Sequence, residues 1–301
     1  MTRKEINLGE LAGLIAEGPA GQEKIKKQAE AISILQETLM LSYKRQRPYA
    51  VPVRSEKNVI RFGLIGDTQI GSLYFRPNAF GAFMDRCRAE GVTDILHAGD
   101  VVAGWRVYRG QEFELLPTAK SWPEQRQHFI EAAKLTEGMR VIFITGNHDN
   151  SFKKLVGMVP GDEFQQAVPE WKFIGQDIGD VDLMAENGLG FRVRLLHPGG
   201  GTAYAISYHA QKIVEAMSGG QKPDLISIGH YHKSLYMPAY RNVACVMPGT
   251  FESQTPFMIQ HSLAAHVGGW IMTVALGDRK KLTARIQADW IGFYEEDARK
   301  T

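Results

Sequence analysis

Apolar positions along the first forty residues fall at helical spacing. Leu8, Leu11, Leu14 and Ile15 form one short run that stops at Gly18-Pro19. From Gln22 to about Tyr43, Ile25, Ala29, Ile32, Leu35 and Leu39 share one side of a second run, with Lys24, Lys26 and Lys27 on another. From Val59 the texture changes to short β-branched runs that alternate with helical segments. Val59–Ile65, Thr93–Leu96, Val141–Ile144, Phe191–Leu196 and Leu225–Ile228 read as strands, with later ones around Val243–Met247 and Gly269–Val274. Ser121-Trp122-Pro123-Glu124 has the form of a capping box with proline in the first turn. Gly91 and Gly219 stand where helices should stop. Strand alternating with helix predicts an α/β layered fold.

What ends each strand matters most. The first runs into Gly66-Asp67-Thr68-Gln69, the second into Gly99-Asp100, and the third into Gly146-Asn147-His148-Asp149. The fourth ends in His197 and the fifth in Gly229-His230-Tyr231-His232. Five apolar runs thus deliver carboxylate, carboxamide or imidazole at their C-terminal edges, where ligands of open α/β sheets bind. Two Asp, one Asn and three His form a mixed hard and borderline donor set, suited to Mn, Fe, Zn or Mg. The set is large enough for two ions sharing one carboxylate. Such a pair, roughly 3.5–4 Å apart, clamps the attacking and leaving oxygens of an in-line displacement at phosphorus. The chemistry indicated is phosphoester hydrolysis by a metal-activated water.

Asp67-x-Gln69, Gly99-Asp100, Gly146-Asn147-His148-Asp149, His197 and Gly229-His230-x-His232 resemble, in order, the motifs of the calcineurin-like metallophosphoesterases. The resemblance covers about residues 59–276 and implies a four-layer α/β/β/α sandwich. Met247-Pro248-Gly249-Thr250 looks like the family's Pro-Gly-Ser/Thr turn. By the same resemblance, Asp67 and His232 hold a first metal, Asp100 bridges, and Asn147, His197 and His230 hold a second. His148 faces the scissile group and protonates the leaving oxygen, and Asp149 orients its ring. One position departs from the pattern: Gln69 stands where the family carries His. A neutral carboxamide is the weaker donor, so the expectation is two divalent ions with a looser first site. That looseness tilts the site towards manganese or magnesium, with Ni, Zn or Fe as alternatives.

Composition narrows the class. The chain has 301 residues, 44% hydrophobic and 23% charged, with a net charge of +2. This excludes an intrinsically disordered chain and any global pull towards nucleic acid or membrane. Two cysteines, Cys87 and Cys245, make no disulfide framework. No apolar run reaches the roughly 18 residues of a membrane span, and Glu5, Glu10 and Glu17 interrupt any signal-peptide core. The expectation is a cytoplasmic protein without a membrane partner; a homo-oligomer stays open. Lys44, Arg45, Arg47, Arg54, Lys57 and Arg61 face Glu56 alone, making a local basic stretch. Residues 1–57 are therefore expected to be helical with a basic linker, either a reduced winged-helix module or a helical cap. Residues 58–301 form the catalytic domain.

Three local features point to nucleic acid. Trp105, Arg106, Tyr108 and Arg109 interleave rings with guanidiniums, as single-strand binding requires. The basic stretch leads into the first strand. Tyr108-x-Gly-Gln-Glu-Phe-Glu, Tyr204-x-x-Ser-Tyr, Gln211-Lys212-Ile213 and Gly-His-Tyr-His-Lys resemble phage and prophage phosphoesterases of the nuclease branch. Gly199-Gly200-Gly201-Thr202, expected before a helix running to about Ser218, is either an anion-binding turn or a flexible one. Gly200 and Tyr204 join the candidate substrate contacts. His97, His128, His209, His261 and His266 read as packing or surface residues, His97 as core. The leading function is a metal-dependent phosphodiesterase or nuclease acting on DNA or RNA strands or ends. A small-molecule phosphomonoesterase or cyclic-nucleotide phosphodiesterase is the alternative. A non-catalytic interaction subunit is a third reading, opposed by the near-complete ligand set.

Overall fold

The computed structural model describes residues 48–53, 55–56, 58–186, 188–201, 203–277 and 283–294. The two helices expected in the N-terminal region, and with them the winged-helix and helical-cap alternatives, lie outside the described residues. The chain divides into two compact units, residues 1–47 and 48–301; the second unit is described below.

Two sheets form its centre. One has the strand order β1 (Tyr49–Pro52), β7 (Ile178–Met184), β8 (Gly190–Leu196), β9 (Leu225–Ile228), β11 (Val243–Pro248), β10 (Ser234–Tyr240). The other runs β13 (Thr283–Gly292), β12 (Gly268–Leu276), β3 (Val59–Ile65), β4 (Asp94–His97), β5 (Arg140–Thr145), β6 (Trp171–Gln176), with β2 (Ser55–Glu56) also paired to β3. Helices α1 (Pro77–Ala89), α2 (Trp122–Ala133) and α4 (Pro160–Ala167) cover the outer face of the second sheet. Helix α5 (Tyr208–Ala216) covers the outer face of the first. Short helices α3 (Asn150–Val156) and α6 (Pro256–Gln260) follow site loops.

The strands are nearly continuous apolar runs because both of their faces are covered. Ile60, Phe62 and Leu64 of β3 enter the core between the sheets, where Phe191, Val193 and Leu195 of β8 meet them. On the other face, Ile95, Val141 and Phe143 pack under Phe80, Phe83 and Cys87 of α1, Phe129 of α2 and Phe164 of α4. Ala210 and Val214 of α5 sit on Ile226, Ile228, Val243 and Cys245. The result is the expected α/β/β/α sandwich. Strands β3, β4 and β5 are mutually parallel, as are β8 and β9, so each set opens its C-terminal ends at one edge.

Local details depart from the sequence reading. Residues expected in the basic linker are strands: β1 pairs in parallel with β7, and β2 pairs with β3. Both strands fall in the second compact unit, which runs from Pro48. The Ser121 hydroxyl donates to the Glu124 carboxylate at 2.8 Å instead of capping a backbone N–H. Helix α5 starts at Tyr208, well past the glycine-rich turn.

Candidate metal centre

Side chains from five strand ends meet at the shared edge of the two sheets. Asp67 and Gln69 follow β3, Asp100 follows β4, Asn147 to Asp149 follow β5, His197 follows β8, and His230 and His232 follow β9. Asp67, Gln69, Asp100, His197 and His232 are nearly or wholly buried. The backbone is held unusually here: Asp67, Gln69, Asp100, His230 and His232 all have φ between 51° and 77°. L residues seldom adopt this left-handed region, and such strain gathers at functional sites.

The close approach of the turns explains their glycines. A Cβ on Gly146 would stand 2.2 Å from Asp100 Oδ1 and 2.7 Å from His197 Nε2, and one on Gly99 would stand 2.6 Å from His197 Nδ1. Gly99 also has φ +92°. Only hydrogen fits at either place.

The donors are arranged for a cation. His197 places Nε2 3.1 Å from Asp100 Oδ2 and 3.1 Å from Asn147 Oδ1. His230 places Nδ1 3.0 Å from the same Asn147 oxygen. The other nitrogen of each ring meets a carbonyl, His197 Nδ1 on Ala98 at 2.8 Å and His230 Nε2 on Gly200 at 2.7 Å. Those carbonyls need a proton on the nitrogens facing them, which turns the lone pairs of His197 Nε2 and His230 Nδ1 inwards. Lone pairs and oxygens crowded at about 3 Å need a positive charge among them. Ligand atoms of Asp100, His197 and His230 all lie within 4.8 Å of one another.

Electrostatics agree. Burial works against a charge on His197, but Asp100, then Asp67 and the Ala98 carbonyl, push it up to about 10. Burial also opposes charge on Asp100, yet His197, His148 and His230 hold it below the usual carboxylate range. Burial, and then the charge on His197, lowers His230. In the metal-free protein a proton on His197 supplies the missing charge; a divalent ion would displace it.

The first-site side is looser. Both Asp67 oxygens accept the backbone N–H of His230 at 3.0 Å, and His232 Nε2 is 3.5 Å from Asp67 Oδ1. Gln69 donates Nε2 to Asp100 Oδ2 at 3.2 Å, while its buried Oε1 has no hydrogen-bond partner among the described residues. An orphaned carboxamide oxygen beside a carboxylate fits a ligand awaiting a cation. The donor set therefore suits two oxygen- and nitrogen-bound divalent ions, with Asp67, Gln69 and His232 on one side and Asn147, His197 and His230 on the other. Asp100 lies between.

His148 and Asp149 differ from expectation. The His148 ring does point at the cage, with Nε2 3.9 Å from Asp100 Oδ2. Its Nδ1 meets the Ala103 carbonyl at 2.7 Å, not Asp149. Asp149 is fully buried and accepts the backbone N–H groups of Val101, Val102 and Gly146. These three bonds clasp the Asp100 turn to the Asn147 turn, so Asp149 orients backbone rather than the imidazole.

The candidate substrate contacts divide in two. Arg106, Arg109 and Tyr204 are exposed. Trp105 is half-buried against the core, with the Arg106 guanidinium 5.4 Å from its ring centroid. The Tyr108 ring stacks on Phe257 at 4.2 Å, and its hydroxyl donates to Glu114 at 2.5 Å. Both rings are engaged within the protein and are no free stacking platform. Phe113, in the same quoted motif and 81% exposed, is an exposed ring that the sequence reading did not name as a substrate contact. The glycine-rich turn does not open a helix; Gly200 contributes its carbonyl to His230, and Thr202 lies outside the described residues. His97 is core, as expected. It accepts the Gly99 N–H on Nδ1 and reaches Thr68 Oγ1 at 3.0 Å, tying the first two ligand turns together.

Fold and site together define a metallophosphoesterase. The sequence profile of the calcineurin-like phosphoesterases matches residues 60–234, more than half of the chain, and the chain belongs to that family. Among curated relatives, the DNA polymerase II small subunit of Methanothermobacter thermautotrophicus is 26% identical over 265 residues, covering 72% of this chain and 53% of that one. The DNA polymerase II small subunit of Halobacterium salinarum is 37% identical over 94 residues, covering 30% of this chain and 18% of that one. The chain thus spans about half the length of the first relative and less of the second. Among solved structures, a dimetal phosphatase from Danio rerio aligns with a TM-score of 0.41 at 11% identity, over 77% of this chain and 96% of that one. No described helix is long and apolar enough to cross a membrane.

Proposed function

We propose that this protein is a divalent-metal-dependent phosphodiesterase that cleaves nucleic acid at single strands or ends. The observation that carries the reading is the convergence of carboxylate, carboxamide and imidazole donors from five strand ends, with His197 and His230 lone pairs turned inwards by carbonyls. Two divalent ions held there, manganese foremost, would activate water and offset phosphate charge. Asp67, Gln69 and His232 would hold one ion and Asn147, His197 and His230 the other, with Asp100 available to both. His148 keeps its Nδ1 proton on the Ala103 carbonyl and turns Nε2 towards the scissile phosphate. There, when Nε2 carries a second proton, the ring stabilises charge and passes that proton to the leaving oxygen, returning to its Nδ1–H form. Arg106, Arg109, Tyr204 and Phe113 supply guanidiniums and rings along the strand's path.

Similarity to DNA polymerase small subunits supports nucleic acid as the substrate. It equally favours a second reading, an interaction subunit of a DNA-synthesising assembly. An activity screen decides between them. Manganese-supported hydrolysis of bis(p-nitrophenyl) phosphate and of labelled single-stranded oligonucleotides, both abolished by Asn147→Ala, is the expected result. Turnover of monoesters or cyclic nucleotides alone would replace the substrate class; no turnover with Mn, Mg, Zn or Ni would leave only the subunit reading. Gln69→His tests the looser site: it should tighten the first metal and shift preference towards zinc in a metal titration. An unchanged titration would remove Gln69 from the ligand set.

A further inference from the structure

The segment Tyr108-x-Gly-Gln-Glu-Phe-Glu has an internal glutamine that no metal ligand explains. Gln111 is 2% exposed and sits in a short 3-10 turn just after Gly110, whose φ of 90° lets the chain reverse. A buried carboxamide must place two donors and an acceptor. Its Nε2 donates to the Ala103 carbonyl at 2.6 Å and lies 3.4 Å from His148 Nδ1. Its Oε1 accepts the Val107 N–H at 2.8 Å.

The Ala103 carbonyl therefore receives two donors, Gln111 Nε2 and His148 Nδ1. An approach of 2.7 Å between a ring nitrogen and a carbonyl oxygen requires a proton on that nitrogen. One lone pair of the oxygen takes the imidazole, the other the carboxamide. The carboxamide fixes the direction of the carbonyl, and the carbonyl fixes the tautomer and tilt of the ring. Through Oε1 the same side chain also holds the loop at Val107, between the exposed Arg106 and Arg109.

We propose that Gln111 is the positioning residue of His148, keeping its imidazole in the Nδ1–H form and tying it to the loop that carries Arg106 and Arg109. Its catalytic consequence rests on the role given to His148 above. With Nδ1–H fixed, Nε2 is the nitrogen that faces the phosphate. Without Gln111 the carbonyl loses its second donor, the ring samples both tautomers, and leaving groups that need a proton suffer most.

The test uses the full chain and the variants Gln111→Ala and Gln111→Met. Methionine keeps much of the side-chain volume but offers neither a donor to Ala103 nor a charged acceptor to Nδ1, so it separates packing from the imidazole. In metal-free, 15N-histidine-labelled protein, His148 (assigned with His148→Gln) should be an Nδ1–H tautomer in the wild type and a mixture in both variants. With manganese, the rate ratio between a nitrophenyl diester and an alkyl-leaving-group diester should rise about tenfold or more, with KM within about twofold. An unchanged tautomer in both variants overturns the proposal whatever the rates. If Gln111→Ala does not fold, Gln111→Met alone gives the tautomer result. If the wild type hydrolyses no ester, the functional reading fails while the tautomer measurement still decides the positioning.

Discussion

At the residue scale, buried polar groups here work in pairs of turns. Asp149 clasps the second and third ligand turns through backbone N–H groups, and His97 joins the first and second. Burial pushes His97 down to about 4, from an ordinary value of 6.5. The folded state thus refuses a proton that the unfolded chain accepts. Its contribution to stability is intact above about pH 6.5 and is lost as pH falls from there towards 4, roughly 3 kcal/mol in all. Unfolding stability measured across that window should fall steeply in the wild type and less steeply, by about that amount, in His97→Gln. Equal slopes would show that His97 is protonated in the fold. His97 read correctly as core because it lies inside an apolar run. The partner of His148 did not, because a backbone carbonyl carries no residue identity: any amino acid at position 103 would offer one.

At the element scale, the strands that end in the candidate ligands were legible almost to the residue, whereas β6, β7, β10 and β13 were not read. Val59–Ile65 and Leu225–Ile228 are β3 and β9 as read, since four- to seven-residue apolar runs between polar turns have few other uses. Gly146, which follows β5, is required by the space taken by Asp100 and His197. Gly146→Ala should fold, because the inter-sheet core is untouched, yet bind manganese about 10–100-fold more weakly by calorimetry. Wild-type affinity in that variant would mean the β5 exit is not part of the cage. Helix α5 was misplaced at its start because nothing local in residues 199–207 separates an irregular loop from a first helical turn.

At the scale of the whole molecule, the basic stretch is split between two roles. Val51 and Val53 are buried in the inter-sheet core, and Arg140 Nη2 donates to the Pro52 carbonyl at 2.8 Å. Part of the presumed linker is therefore sheet. A chain starting at Pro48 should keep its unfolding temperature and hydrolyse bis(p-nitrophenyl) phosphate. It should also bind oligonucleotide with a shallower salt dependence, because Lys44, Arg45 and Arg47 are gone. A chain starting at Asn58 should lose roughly 3 kcal/mol or more, from exposure of the space filled by the two valines. Unaltered salt dependence in the chain starting at Pro48 would assign residues 1–47 to something other than nucleic acid.

Sequence alone determined the strand runs that end in the candidate ligands, the order of polar residues at their ends and, through the resemblance those residues carry, the family. These are local properties: an apolar run covered on both faces is apolar at every position, and a metal ligand must be a particular side chain. Tertiary structure alone decided which groups hold those ligands in place. It brought Gln111 and a carbonyl to His148, put three amides on Asp149, engaged Tyr108 and left Phe113 exposed. Contacts of that kind join residues far apart through backbone atoms and packing, and neither has a signature in the order of amino acids.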